Sequence, residues 1–299
     1  MNFPKPAIVP FPKTSFLSEN KFSILIPSWN NLEMLQLCIQ SIHKNSAFKH
    51  QIVVHVNEGV DGTLEWIQAQ NIDYTHSSSN AGVCYAINAL AELANTKYIL
   101  FLNDDMYVCP DWDLHLWNEA MAMPQNNWYL SGTMIEPSES ANLCNIAPYD
   151  FGKDVSTFKE NELLAFTKTQ HRKNWFGASW PPSLVPKELF LQVGGYSEEF
   201  SPGMYSDPDF SMKLWQHGVR DFKGIAASMV YHFQSKSTGR VKRNDGRKQF
   251  AQKWGIPASY FYKSVLKLGQ DFSADESLEL KKNLAYYFAK LRAFFIANK

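Results

Sequence analysis

Residues 98–106 read Tyr-Ile-Leu-Phe-Leu-Asn-Asp-Asp-Met, an apolar run that ends in Asn103, Asp104 and Asp105. The run has the composition of a buried strand. Adjacent carboxylates at the rim of such a strand are costly to leave unpaired. A divalent cation between them and a polyanionic ligand makes the arrangement favourable. A polar turn is the competing reading, because Asn and Asp both favour turns. Three earlier apolar runs end in similar polar clusters: Pro27-Ser28-Trp29-Asn30, Asn57-Glu58-Gly59 and Ser79-Asn80-Ala81-Gly82. Each alone is ordinary turn chemistry, but four in succession argue for a ligand site.

The elements that must carry these clusters alternate. Phe22 to Ile26, Gln51 to Val56, Ile72 to His76 and Lys97 to Leu102 read as strands. Between them, Leu32 to Lys44 repeats apolar residues at helical spacing, Gly62 to Gln70 reads as a helix, and Asn80-Ala81-Gly82 opens another. Asn30 or Asn31 is expected to cap the first of these helices. This alternation predicts an α/β fold with a mostly parallel sheet flanked by helices. Right-handed crossovers place every strand carboxyl end on one edge, where open α/β sheets bind ligands.

Beyond residue 110 the pattern loosens. A helix is expected from Asp111 or Asp113 to Met123 and a strand over Trp128 to Thr133. Residues 136–174 read as a polar insertion. A helix over Asp209 to Gly218, a strand over Ser228 to Phe233 and one strong helix over 275–299 complete the reading.

Composition sets bounds. Lys+Arg and Asp+Glu number 29 each, so no global basic field points to nucleic acid. The four cysteines lack C-x-x-C spacing and read as buried thiols in a reducing cytosol. The lead MNFPKPAIVPFPKTSF is broken by prolines, unlike a signal peptide, and no apolar run approaches the ~20 residues of a membrane span. A cytoplasmic protein is expected, with membrane contact at the inner face still open.

Six motifs in order resemble the family 2 glycosyltransferases of the GT-A fold. Ile24 to Asn30 is similar to the I-I-P-x-Y-N opening, and Asn57 to Thr63 to the D-D-G-S-x-D-G-T loop. Asn80, Gly82 and Asn88 fit N-x-G-x-x-x-A-x-N, and Asn103-Asp104-Asp105 the D-x-D site. Gly194 to Phe200 with Ser206 to Phe210 resembles G-G-F-D-E-x-F…E-D-x-D-(L/F), and His232 stands where the family often has histidine. Asn57, Asn103 and Ser206 replace acids of the pattern, leaving Asp104, Asp105 and Asp207.

The resemblance implies a metal-dependent inverting transferase moving a sugar from a nucleotide-diphosphate donor, with UDP the working choice, to a saccharide acceptor. In that reading Asp105 and His232 bind Mn²⁺ or Mg²⁺, and Asp104 holds the ribose or reaches the ion through water. Asp207 is the general base, with Asp209 beside it as helix cap or acceptor contact. Pro27, Trp29, Asn30, Asn57, Glu58, Asn80 and Gly82 line the donor site. Trp175 and Trp180 offer sugar-stacking faces, against the alternative of core packing. Lys236 and Arg240 could close over the diphosphate.

The expected organisation is a Pro-rich lead (1–20), a GT-A catalytic domain (21–235, with a donor half 21–110 and an acceptor half 111–235), and a basic loop with a C-terminal helical extension (236–299). The last helix aligns Leu280, Leu284, Tyr287, Phe288, Leu291, Phe294 and Phe295 on one face. It is expected to pack on the catalytic domain, pair with a second subunit or lie on a membrane, in that order. An inactive sugar-binding module and a sugar nucleotidyltransferase are the competing functions.

Overall fold

The computed structural model describes residues 6–14, 17–140, 142–177, 179–235 and 243–298. A short strand β1 (Val9–Phe11) precedes the expected alternation. That alternation runs β2 (Phe22–Trp29), α1 (Leu32–Asn45), β3 (Gln51–Asn57), α2 (Thr63–Ala69), β4 (Asp73–Ser77), α3 (Gly82–Leu93) and β5 (Tyr98–Phe101). The strands β4-β3-β2-β5 pair in parallel in that order. Their carboxyl ends therefore share one edge, as the alternation requires.

The second half is mixed. It contains β6 (Met106–Val108), α4 (Trp112–Ala122), β7 (Trp128–Ile135), α5 (Glu160–Thr167), β8 (Trp175–Phe176), β9 (Ser183–Pro186), α6 (Lys187–Gln192), α7 (Ser206–Gln216) and β10 (Asp221–His232). The sheet continues from β5 through β9, β7 and β10 to β6. β9 is antiparallel to both neighbours, β7 and β10 are parallel, and β6 closes the edge antiparallel to β10. One sheet thus runs through both expected halves of the catalytic domain.

Beyond it come α8 (Gly246–Trp254), α9 (Ala258–Tyr260) and α10 (Leu284–Ala297). α8 has an Asp245 cap that accepts from the Lys248 N–H, a signal the charge of that stretch obscured. α10 is shorter than the expected tail helix and starts at the Asn283 cap.

Several local expectations are revised. Neither Asn30 nor Asn31 caps α1 with its side chain; Asp61, from the loop after β3, accepts from the Leu32 N–H at 2.9 Å. α7 begins at Ser206, so Asp207 lies inside its first turn, and no side-chain cap bond forms there. β10 begins at Asp221, seven residues before the expected strand, because a bulge between Ile225 and Met229 interrupts its alternation. The four cysteines are buried and unbridged, as read.

The sheet buries both faces. Ile24, Ile26, Val54, Val56 and Leu100 meet the α1 side chains Leu35, Cys38 and Ile42 on one side. Leu25, Val53, Ile99 and Phe101 meet Ile87 and Leu90 of α3 on the other, together with Phe210 and Leu214 of α7. Removing one such Leu typically costs about 2–5 kcal/mol, so this core fixes where the strand ends point.

Candidate active site

A cleft of about 630 Å³ opens at the shared strand edge. Pro27, Trp29, Asn57, Asn80, Gly82 and Asp104 line it from the parallel half. Asn57, at the end of β3, is buried and its side chain is spent on scaffolding. Its Oδ1 accepts from the Ala81 N–H at 2.7 Å, and its Nδ2 donates to the Ser28 carbonyl at 3.3 Å. One amide thereby joins three of the four polar loops. Asn30 and Glu58, expected on the donor, bond to each other (Nδ2 to Oε2, 3.0 Å). The Asn30 Oδ1 also accepts from the N–H groups of Gly59 and Val60. This pair staples the loop beside the cleft and is not among the residues lining it.

The strand β6 brings Asp105 to His232. Met106 pairs with His232 across the β6–β10 ladder, so the residue before Met106 faces the residues after His232. The Phe233 N–H donates to the Asp105 carbonyl at 3.1 Å, and the Ser235 N–H to Asp105 Oδ2 at 2.8 Å. Asp105 Oδ1 is left 3.5 Å from His232 Nε2. On the other side, parallel pairing of Tyr231 with Ile135 carries Glu136 level with His232. Glu136 Oε1 lies 2.8 Å from His232 Nδ1. Burial alone would pull the imidazole down, but the two carboxylates outweigh it and raise His232 to about 10. The same contacts hold Glu136 below its ordinary value, against the opposing effect of burial.

Glu136 was not anticipated. Its signal was an acid directly after the strand Trp128–Ile135, weaker than the run before Asp104 and Asp105 because Ser131, Gly132 and Thr133 interrupt the apolar pattern. An outer carboxylate on Nδ1 fixes the ring and directs Nε2 towards the cleft, as in many histidine ligands of metals.

Asp207 lines the same cleft from the first turn of α7. Its Oδ1 accepts from the Tyr196 hydroxyl at 3.3 Å. Burial pushes the carboxyl up to about 7, with the Tyr196 bond pulling back only in part. α3 closes onto this wall: the Val83 N–H donates to the Pro202 carbonyl at 2.9 Å. Asn88 grips Tyr196 through both its N–H and its carbonyl, at 2.8 Å each.

The residues fit a divalent ion that is shared with a ligand. Asp105 Oδ1 and His232 Nε2 are spaced for neighbouring positions on one ion. Among the described residues no group of three or more His, Cys, Asp or Glu gathers to hold a metal alone. The other coordination positions would fall to phosphate oxygens and water.

The model of glycosyl transferase family 2 matches residues 23–131. Residues 23–131 are thus similar to a family 2 glycosyl transferase domain. The match covers β2 through the first residues of β7 and includes Asp104 and Asp105. An O-antigen biosynthesis protein, RfbC, of Myxococcus xanthus is 22% identical over 71% of this chain and 17% of its own length. An uncharacterized protein of Sinorhizobium fredii, y4gI, is 23% identical over 76% of this chain and 26% of its own length. The chain thus spans about a quarter or less of these relatives. The structure of GalNAc-T7 with UDP, GalNAc and Mn²⁺ aligns with a TM-score of 0.57 at 14% identity, over 83% of this chain and 50% of that one. The likeness is one of fold, GT-A.

The remaining expected residues divide. Trp180 lines the cleft and meets the Tyr262 ring edge-on at 5.3 Å. Trp175 does not reach the cleft. It is 2% exposed, and its indole N–H donates to Thr133 Oγ1 at 3.1 Å, so core packing won at that position. Asp209 is also turned away. It is fully buried, accepts from the Trp254 indole at 2.8 Å and pairs with Lys253 at 2.9 Å. Two residues along a helix turn a side chain by about 200°, so Asp207 and Asp209 cannot share one wall. Lys236 and Arg240 lie outside the described residues.

Proposed function

We propose that this chain transfers a sugar from a nucleoside diphosphate to a saccharide hydroxyl, with inversion at the anomeric carbon. One observation carries the reading: Asp207 and the Asp105–His232 pair line a single cleft at the carboxyl edge of the sheet. Asp207, raised to about 7, is divided between its acid and base forms near neutral pH, where a general base works best. Tyr196 holds its Oδ1 and leaves Oδ2 to take the acceptor proton. As that proton moves, the acceptor oxygen bonds to the anomeric carbon. The bond to the diphosphate breaks on the opposite face, and the diphosphate leaves with the electron pair.

Asp105 and His232 would hold a divalent ion, with Glu136 orienting the imidazole. When bound, such an ion supplies Lewis-acid neutralisation of the leaving diphosphate. A nitrogen ligand beside a carboxylate favours Mn²⁺ over Mg²⁺. Pro27, Trp29, Asn80, Gly82 and Asp104 would form the donor wall, and Trp180 an acceptor platform. The fold neighbour holding UDP, GalNAc and Mn²⁺ makes UDP-sugars the first donors to try. The O-antigen relative points to a surface-polysaccharide acceptor.

Thermal-shift measurements with UDP, GDP, dTDP and CMP sugars test the donor half of this reading. One nucleotide class should raise Tm by several degrees at saturating concentration with Mn²⁺, and not in EDTA. Asp105→Ala should lose that shift. An equal shift with and without metal would remove the ion from the account.

A further inference from the structure

α10 packs on the molecule with its small residues and turns its large ones outward. Ala289 and Ala293 are its buried positions, 7% and 1% exposed. Leu284, Tyr287, Phe288, Leu291, Phe294 and Phe295 are each more than half exposed. At about 100° per residue these six form one continuous stripe on the side opposite the alanines. Packing on the catalytic domain is the first expectation for this stripe, yet it is the face left uncovered. The four rings alone leave on the order of 400 Å² of aromatic surface in water. A patch of about 300–600 Å² is the largest that ordinary monomers show, and it is often functional.

The charges on α10 itself have one sign. Residues 280–299 contain five Lys or Arg and no Asp or Glu. Lys290 and Arg292 fall on either flank of the stripe, each about 100° from its centre. A groove of about 520 Å³ between α8 and α10 is lined by Arg247, Lys248 and Arg292 together with Phe288, Leu291 and Phe295. The acid beside it, Asp245, is occupied as the α8 cap. Among the described residues none of Arg247, Lys248, Lys290 and Arg292 forms an ion pair; Lys290 lies 5.9 Å from the Tyr286 ring centre.

We propose that α10 is an in-plane anchor that docks the chain on an anionic phospholipid surface. Aromatic and leucine side chains would enter the boundary between headgroups and acyl chains. The flanking Lys290 and Arg292 would reach back to lipid phosphates. The groove between α8 and α10 joins cations to apolar walls, which suits a headgroup phosphate above the start of an acyl chain. A second copy fits less well, because a two-fold pairing of this face would set Lys290 and Arg292 against their own kind with no acid on the helix to answer them. Among the described residues no helix is long and apolar enough to cross a membrane, so the helix would lie on the surface.

The anchor is one element away from the cleft. Asn244, just before α8, accepts from the Met204 N–H at 3.0 Å and donates back to the Met204 carbonyl at 3.0 Å. Met204 lines the cleft. Docking through α10 would therefore hold the cleft near the lipid surface. The inference stands on the helix alone and does not depend on the transferase reading.

Flotation of the full chain with vesicles decides it. Binding is expected to vesicles that mix phosphatidylglycerol with phosphatidylcholine, weakened by salt, and not to phosphatidylcholine alone. Leu291→Ser/Phe295→Ser should reduce binding at least roughly tenfold. Lys290→Gln/Arg292→Gln, which leaves the apolar stripe intact, should reduce it about fivefold per charge removed. Both variants change exposed side chains, and circular dichroism checks that they remain folded. Failure to bind either vesicle would overturn the proposal, as would equal binding to both compositions. So would light scattering that finds a dimer which Leu291→Ser/Phe295→Ser dissociates.

Discussion

Asp207 combines two properties that pull in opposite directions. Burial raises its folded value to about 7, far above the ordinary 3.8 expected of the unfolded chain. Between those values the folded state holds a proton that the unfolded state releases, so this group makes stability fall as pH rises from about 4 to about 7. The cost at higher pH is of order 1–2 kcal/mol once partial solvent access is allowed for. Asp207→Asn carries no charge and escapes this cost. Its Tm at pH 8 should match or exceed that of the parent chain. Turnover should fall ~10²–10⁴-fold, and the rise of kcat/KM through pH 7 should disappear. A variant that loses stability but keeps its rate would mark Asp207 as a scaffold residue. Asp105, Asp207 and His232 were legible as candidates from their motifs. The distinction between Asp207 and Asp209 was not, because it depends on where α7 begins. Glu136 escaped notice because nothing in its polar neighbourhood hinted that β7 and β10 would run parallel and in step.

At the scale of elements, the parallel half was readable because its strands and helices are long and strongly periodic. β6 was not, since three residues carry too little pattern, yet it alone sets Asp105 beside His232. Trp175 was ambiguous for a related reason: an aromatic loop reads the same whether it faces sugar or core. The junction of α3 with the loop at Pro202 makes a sharper claim. Gly82 has φ +74°, and a Cβ there would lie 2.7 Å from Pro202 Cα and 3.0 Å from its carbonyl oxygen. Both the backbone conformation and the space exclude a side chain. Gly82→Ala should cost about 2 kcal/mol or more in urea unfolding. Because α3 also walls the cleft, the same change should raise KM for the donor. A neutral result would mean that α3 and the Pro202 loop separate easily.

For the whole molecule, the sheet unites two halves of different character. The parallel half supplies polar loops at strand ends; the mixed half supplies Glu136, His232 and, through α7, Asp207. The cleft exists only where they meet, which is why no single segment of the sequence contained the site. The proposed function divides the labour within that cleft: Asp105 and His232 hold the leaving group, and Asp207 activates the acceptor. Release of nucleotide from a UDP-sugar, followed together with nucleotide binding, separates the two roles. With Mn²⁺, the parent chain should both bind UDP and turn over, and lose both in EDTA. Asp207→Asn should bind UDP normally with Mn²⁺ and release ~10²–10⁴-fold less product per unit time. Asp105→Asn should fail at binding. Full turnover in EDTA, or Asp105→Asn and Asp207→Asn behaving alike in metal-dependent binding, would contradict it.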